Sequence, residues 1–117
     1  IDVPCTSLDA YWNRVGCPPV CAGKVDVEGH EIAVLEGAVQ LAGSCRPIFL
    51  VETEEAHLAE LHDWLGRADY RAFAAVVRDR SLSLIELRLL QAVPPAFTMA
   101  FLLPNPAPFG HRSSNGP

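Results

Sequence analysis

The apolar residues of the chain form strand-like runs that alternate with stretches of helical spacing. Two runs, 20–27 and 47–53, have the length of short strands. The second run, P-I-F-L-V-E-T, is almost continuously apolar, which is typical of a strand buried on both faces of a parallel sheet. The pattern therefore predicts two strands of a parallel sheet in the first half of the chain.

Each predicted strand is followed by apolar residues at helical spacing, in segments 30–42 and 54–68. A shorter helix is predicted to begin after Thr6 or Ser7, which can cap it, and to end near Val15 before a glycine and two prolines. The order strand, helix, strand, helix calls for a parallel sheet with right-handed crossovers. We therefore expect an α/β fold.

The second half of the chain is less regular. Segments 70–78 and 97–103 are predicted to be strands, and segment 81–93 can be read as a hairpin arm or as a helix. We favour the hairpin arm because Leu82 and Leu84 alternate with polar residues. The last residues, 105–117, are rich in Pro, Ser, Gly and Asn and are predicted to be disordered. The folded domain is thus expected to span residues 1–104.

Composition narrows the class of protein. The chain has 117 residues, half of them apolar, which suits a single domain with a packed core. Its net charge is −5, its only lysine is Lys24, and its arginines are scattered, so nucleic acid is not expected as a partner. No run approaches the roughly 18 apolar residues of a membrane span, and no secretory signal is visible. We therefore expect a cytoplasmic protein that does not bind membranes.

The four cysteines allow two interpretations. Cys17 and Cys21, with His30 nearby, could form a zinc site, and the chain would then be a small zinc module. Structural zinc sites more often use tighter C-x2-C knuckles, and a disulfide framework is not expected without a secretory signal. We expect free, mostly buried thiols and no metal.

Acidic residues gather where the first predicted strand turns into a helix. Asp26 and Glu28 lie in this turn, and Glu52 ends the next strand. Because ligands bind at the carboxyl ends of parallel strands, we expect Asp26 and Glu52 to lie on neighbouring strands at one rim of the sheet, facing a ligand. Glu31 lies in the first turn of the following helix, where we expect it mainly to complement the helix dipole.

Four segments together resemble the C-terminal half of the FkbM-type methyltransferases. They are T-S-L-D-A-Y (6–11), K-V-D-V-E-G-H-E (24–31), V-L-E-G-A (34–38) and R-P-I-F-L-V-E (46–52). The resemblance covers residues 3–70 well and 97–104 loosely. Such enzymes depend on S-adenosylmethionine and mostly methylate oxygen on small molecules or sugars, so the resemblance implies this activity.

The resemblance also implies a fold and a site. The fold is a Rossmann-like class I methyltransferase sheet of order 3-2-1-4-5-7-6 with strand 7 antiparallel, of which this chain would hold only the C-terminal part, strands 4-5-7-6 with flanking helices. The implied catalytic residues are Asp26, Glu28 and His30, with Asp26 or His30 as the base, and the implied cofactor-binding residues are Asp26 and Glu52. The family commonly has a small residue where this chain has His30, so a solvent-facing histidine is an equal alternative.

One family feature is absent from these 117 residues. Such enzymes hold the donor with a glycine-rich loop after strand 1 and an acidic residue after strand 2, and no glycine-rich turn precedes Asp26 here. The chain would then represent a partial domain, inactive alone, whose partner is a missing N-terminal half. Alternatively, it is a non-catalytic module that associates, for instance with itself, through the open edge of strand 4. The acceptor cannot be read from these segments.

Overall fold

The helices and strands alternate along the first half of the chain and give way to strands in the second. The computed structural model describes residues 2–87 and 99–106. A single 3₁₀ turn, Glu55–His57, leads into the last helix. The elements are α1 (Leu8–Arg14), β1 (Ala22–Val25), α2 (Glu31–Glu36), α3 (Val39–Cys45), β2 (Ile48–Glu52), α4 (Leu58–Ala68), β3 (Tyr70–Arg78), β4 (Ser81–Glu86) and β5 (Met99–Pro104).

The described strands form one mixed sheet of order β1-β2-β5-β3-β4. β1 and β2 are parallel, as their helical crossover requires, and the pairs β2–β5, β5–β3 and β3–β4 are antiparallel. The arrangement is an α/β fold compatible with a Rossmann-like methyltransferase sheet. The full seven-strand order stays a prediction, because strands 1 to 3 of that order have no counterpart among the described residues.

The predicted helix over 30–42 is wrong in one respect, because the segment forms two helices. α2 ends at Glu36, with Gly37 as its C-cap, and α3 begins at Val39. The start of α3 is stabilised by a residue that is distant in the sequence. The Asp9 carboxylate of α1 accepts hydrogen bonds from the backbone N–H groups of Gln40 (2.8 Å) and Leu41 (2.9 Å). An N-terminal cap supplied by another helix leaves no signal in the local apolar spacing.

The other element predictions agree with the structure apart from their ends. β1 is shorter than the predicted strand 20–27, and the predicted strand 70–78 is observed with the same bounds. β4 is the hairpin arm that we favoured, as far as the structure describes it; residues 88–93 of that prediction lie outside the described residues. The predicted disordered tail lies outside them from residue 107 onwards.

The core lies between one face of the sheet and the layer of α2, α3 and α4. At its centre the rings of Phe49, Trp64 and Tyr70 pack together, with centroids 5.2–6.1 Å apart. The Trp64 indole N–H donates to the Leu35 carbonyl (3.0 Å), which ties α4 to α2. This packing holds β2 and β3 against α4.

The cysteines are free, as expected, but the expectation that most are buried is wrong. Cys5, Cys17 and Cys21 are exposed and Cys45 is partly exposed. The first three lie in loops beside α1 and before β1, outside the layer between helices and sheet. Separately, none of the described helices is long and apolar enough to cross a membrane.

Candidate functional site

Three carboxylates converge at the carboxyl ends of β1 and β2. Val25 and Val51 are register partners in the parallel pair, so the residues that follow them, Asp26 and Glu52, lie side by side at the same rim. One oxygen from each of Asp26, Glu31 and Glu52 can be chosen so that all three lie within 4.8 Å of one another. The predicted placement of Asp26 and Glu52 on neighbouring strands is therefore confirmed, and we call the three residues the acidic corner.

Glu31 shapes the turn that builds this corner. Its carboxylate accepts hydrogen bonds from the backbone N–H groups of Val27 (3.1 Å) and Gly29 (3.0 Å), and the residue is 5 % exposed. Gly29 has φ of +95° and Glu28 has φ of +48°, a left-handed pair that reverses the chain over the Glu31 side chain. The expectation that Glu31 mainly complements the helix dipole misses this role.

The electrostatics of Glu31 follow from these contacts. Burial by itself would raise the pKa of its carboxyl, but hydrogen bonds from the backbone amides of residues 27–29 and its own amide outweigh burial and lower that pKa. Glu31 is thus held as a carboxylate. It contributes a negative charge to the corner at neutral pH.

Glu52 behaves in the opposite way. The negative charge of Asp26 is the main cause that raises the pKa of the Glu52 carboxyl, and burial, Glu31, a hydrogen bond with Asp26 and Glu28 act in the same direction. Carboxylates this close together repel each other, and sharing a proton or binding a cation relieves that repulsion. The corner therefore carries an unfavourable excess of negative charge, as many ligand sites do.

Glu28 and His30 lie outside the acidic corner. Both side chains are exposed, and Glu28 reaches the corner only through its charge. His30 precedes α2, makes no capping hydrogen bond, and lines an open groove between α1 and α2 whose wall includes Tyr11 and Val34. The structure thus brings together two of the four predicted site residues and adds Glu31 to them. The sequence contained a signal for this role of Glu31. The residue lies two positions after Gly29, close enough for its carboxylate to reach back to the backbone N–H groups of the turn.

The corner could hold a cation. Three carboxylates offer oxygen ligands of the kind that divalent cations prefer, and they would equally attract an organic cation such as a sulfonium. The expectation of no metal considered only the cysteines and His30, because Glu31 was assigned to the helix dipole. Among the described residues the cysteines form no comparable group.

We expect the variant Glu52→Gln to be more stable than the parent at neutral pH. The folded-state pKa of Glu52 is raised, so ionising this group costs stability, and the cost sets in as pH rises through the unfolded value towards the folded one. Removing the charge should raise the Tm by on the order of 1–3 °C at pH 7, with no gain at pH 3. Thermal unfolding of both proteins at the two pH values measures this. A lower Tm at pH 7, or an equal gain at pH 3, would contradict the repulsion.

Comparison with protein families gives a match over the first part of the chain. The model of the FkbM methyltransferase domain family matches residues 1–72, more than half of the chain, and this stretch includes all three residues of the acidic corner. Searches of curated proteins and of solved structures return no significant match. With its α/β sheet and the matched residues spanning β1, β2 and the corner between them, the chain belongs to the FkbM methyltransferase domain family.

Proposed function

We propose that the chain is part of an S-adenosylmethionine-dependent methyltransferase that methylates oxygen on a small molecule or sugar. The observation that supports this most is the position of the acidic corner within the stretch that the methyltransferase family model matches. Such corners at the carboxyl ends of parallel strands are where α/β sheets bind ligands. Nucleic acid and membranes are not proposed as partners.

The corner fits the charge of the proposed donor. When bound, S-adenosylmethionine supplies a methyl group on a positively charged sulfonium. Asp26 and Glu52 are the residues that would hold this cation, because their mutual repulsion, recorded in the raised pKa of Glu52, is relieved by a positive charge. Glu31 would keep the turn in place and add a third negative charge.

Asp26 is also the proposed base. It lies at the rim, is exposed, and sits beside Glu52, so it can accept the proton that an acceptor hydroxyl must lose. His30 is the second candidate base, since it is exposed and lines a groove beside the turn. Glu28, exposed in the same turn, is proposed to contact the acceptor.

The alternative proposal is an interaction module. β1 lies at one end of the described sheet and pairs only with β2 there, so its outer backbone groups are available to a further strand. A missing N-terminal half or a second copy would use this edge. This alternative does not require the acidic corner to be catalytic.

A titration of the isotope-labelled 117-residue chain with S-adenosylmethionine, followed by nuclear magnetic resonance, tests the donor site. We expect backbone signals of residues 26–31 and of Glu52 to shift with a Kd of about 1 mM or weaker, because carboxylates alone cannot hold the adenosine. S-adenosylhomocysteine, which lacks the sulfonium charge, is the matched ligand and should shift these signals less. The variant Asp26→Asn should also weaken the response.

Three outcomes would count against the proposal. Shifts confined to residues far from the acidic corner would place the donor elsewhere. Equal responses to the charged and the neutral ligand would show that the carboxylates do not recognise the sulfonium. Micromolar binding by a monomer would show that the main donor contacts were misplaced.

A further inference from the structure

A groove of about 610 Å³ lies between the first half of α1 and α2, and we call it the α1–α2 groove. Its volume is within the range of about 300–1,000 Å³ that is typical of small-molecule sites. His30 lines the groove, and the next residue, Glu31, belongs to the acidic corner. The groove therefore has the size of a ligand site and adjoins the place proposed for the sulfonium of the methyl donor.

The two walls of the α1–α2 groove are fixed relative to each other. The Asp9 backbone N–H donates to the Gly37 carbonyl (2.8 Å), and the Asp9 carboxylate accepts from the N–H groups of Gln40 and Leu41 at the start of α3. The walls also approach closely, because a methyl group on Gly37 would lie only 3.0 Å from the Ser7 Cβ. The groove is thus formed before any ligand binds, as in most small-molecule sites.

The lining of the groove is mainly apolar and contains one aromatic ring. Leu8, Tyr11 and Val34 contribute to it, and Tyr11 is 50 % exposed. The Arg14 guanidinium lies over the Tyr11 ring, 5.3 Å from its centroid, so α1 itself covers one face of the ring. The other face can pack against the ring of a ligand, and such ring contacts stabilise a complex beyond the area that they bury.

The polar groups of the groove suit hydroxyl groups better than charges. Thr6 and His30 line it and are exposed, and their hydroxyl and imidazole groups can donate or accept hydrogen bonds. None of the described residues that line the groove is Asp, Glu, Lys or Arg. The acidic corner beside His30 makes this end of the groove unfavourable for an anion. The groove therefore suits an uncharged ring that carries hydroxyl groups.

We propose that the α1–α2 groove binds the acceptor of the methyl transfer, an uncharged ring compound with hydroxyl groups. Tyr11 would pack against the ring, and His30 would bind a hydroxyl group at the end of the groove that adjoins the acidic corner. That hydroxyl group would then lie towards Asp26, the proposed base. The ligand's role as acceptor rests on the proposed methyltransferase function, whereas its binding in the groove does not require the donor.

A titration of the isotope-labelled 117-residue chain with phenyl β-D-glucoside, followed by nuclear magnetic resonance, tests the groove. We expect backbone signals of residues 6–11 and 33–37 to shift, with a Kd in the millimolar range. Methyl β-D-glucoside lacks the aromatic ring, and phenyl β-D-glucuronide carries a carboxylate in place of a hydroxymethyl group. Each should bind at least about fivefold more weakly, because the first loses the ring contact and the second meets the negative charge of the corner.

Variants of the lining identify the residues that bind. Tyr11→Ala should raise the Kd of phenyl β-D-glucoside at least about fivefold, and Tyr11→Phe, which keeps the ring, should change it less than about twofold. His30→Ala should raise it about threefold, because a hydrogen bond is lost. Val15→Ser is the matched control: Val15 is 47 % exposed at the C-cap of α1, outside the groove, so the Kd should not change.

The outcomes separate the groove from the methyltransferase proposal. Equal affinities for the three ligands, no shifts in residues 6–11 and 33–37, or an unchanged Kd in Tyr11→Ala would overturn the groove as the acceptor site. A groove that binds the glucoside as expected, in a chain whose acidic corner does not distinguish S-adenosylmethionine from S-adenosylhomocysteine, would support the ligand site and overturn the methyltransferase proposal. The reverse result would overturn the groove alone.

Discussion

Replacing Trp64 with alanine is expected to destabilise the fold by about 3–5 kcal/mol, a large share of the stability of a domain this size. Trp64 is fully buried, its ring contacts those of Phe49 and Tyr70, and its indole N–H bonds the Leu35 carbonyl. The change would leave a cavity between sheet and helices and an unpaired carbonyl beside it. Urea denaturation followed by circular dichroism measures the loss.

Two controls make this result specific. Trp64→Phe keeps a ring in the cluster and loses the N–H, so we expect a loss of about 1–3 kcal/mol. Tyr11→Ala removes an aromatic ring that is 50 % exposed on α1 and should cost less than about 1 kcal/mol. If Trp64→Ala cost no more than Tyr11→Ala, the ring cluster would not be the centre of the core.

Replacing Glu31 with alanine is expected to cost about 2–3 kcal/mol, the second large effect. The change removes the acceptor of the Val27 and Gly29 N–H groups in a turn with left-handed backbone at Glu28 and Gly29. Part of this loss is offset because one negative charge near Glu52 disappears. Denaturation at pH 7 measures the net change, and resonance shifts of residues 26–30 report whether the turn itself is lost.

The pH dependence of this variant has a definite sign. The folded-state pKa of Glu31 is lowered, so its carboxylate contributes stability above the unfolded pKa of about 4.3, and that contribution is lost as pH falls through the folded value. The gap between parent and Glu31→Ala should therefore narrow below about pH 4. A gap that stays constant down to pH 2 would mean that the carboxylate charge is not what stabilises the turn.

A glutamate in the same helix provides the matched control. Glu36 is exposed and pairs with Arg67 (2.8 Å) at the surface. Glu36→Ala should cost less than about 1 kcal/mol, because exposed ion pairs contribute little. Equal losses for Glu31→Ala and Glu36→Ala would contradict the special role of Glu31.

Local sequence patterns determined most of the elements and two of the three residues of the acidic corner. The apolar run before Glu52 and the strand before Asp26 predict two parallel strands, and parallel strands place their carboxyl ends at one rim whatever the rest of the fold does. The T-S-L-D-A-Y and K-V-D-V-E-G-H-E segments likewise carried the resemblance to the FkbM family. These features depend on residues close together in the chain.

Only the tertiary structure decided the remaining features, since each depends on groups brought together by folding. Asp9 caps α3 from 31 and 32 residues away and divides the predicted helix into two. Glu31 folds back onto the turn because Gly29 allows a left-handed backbone, so a residue expected at a helix dipole becomes part of the acidic corner. Which face of the sheet the helices cover depends on the side that each crossover takes, and a period-two pattern does not specify that side.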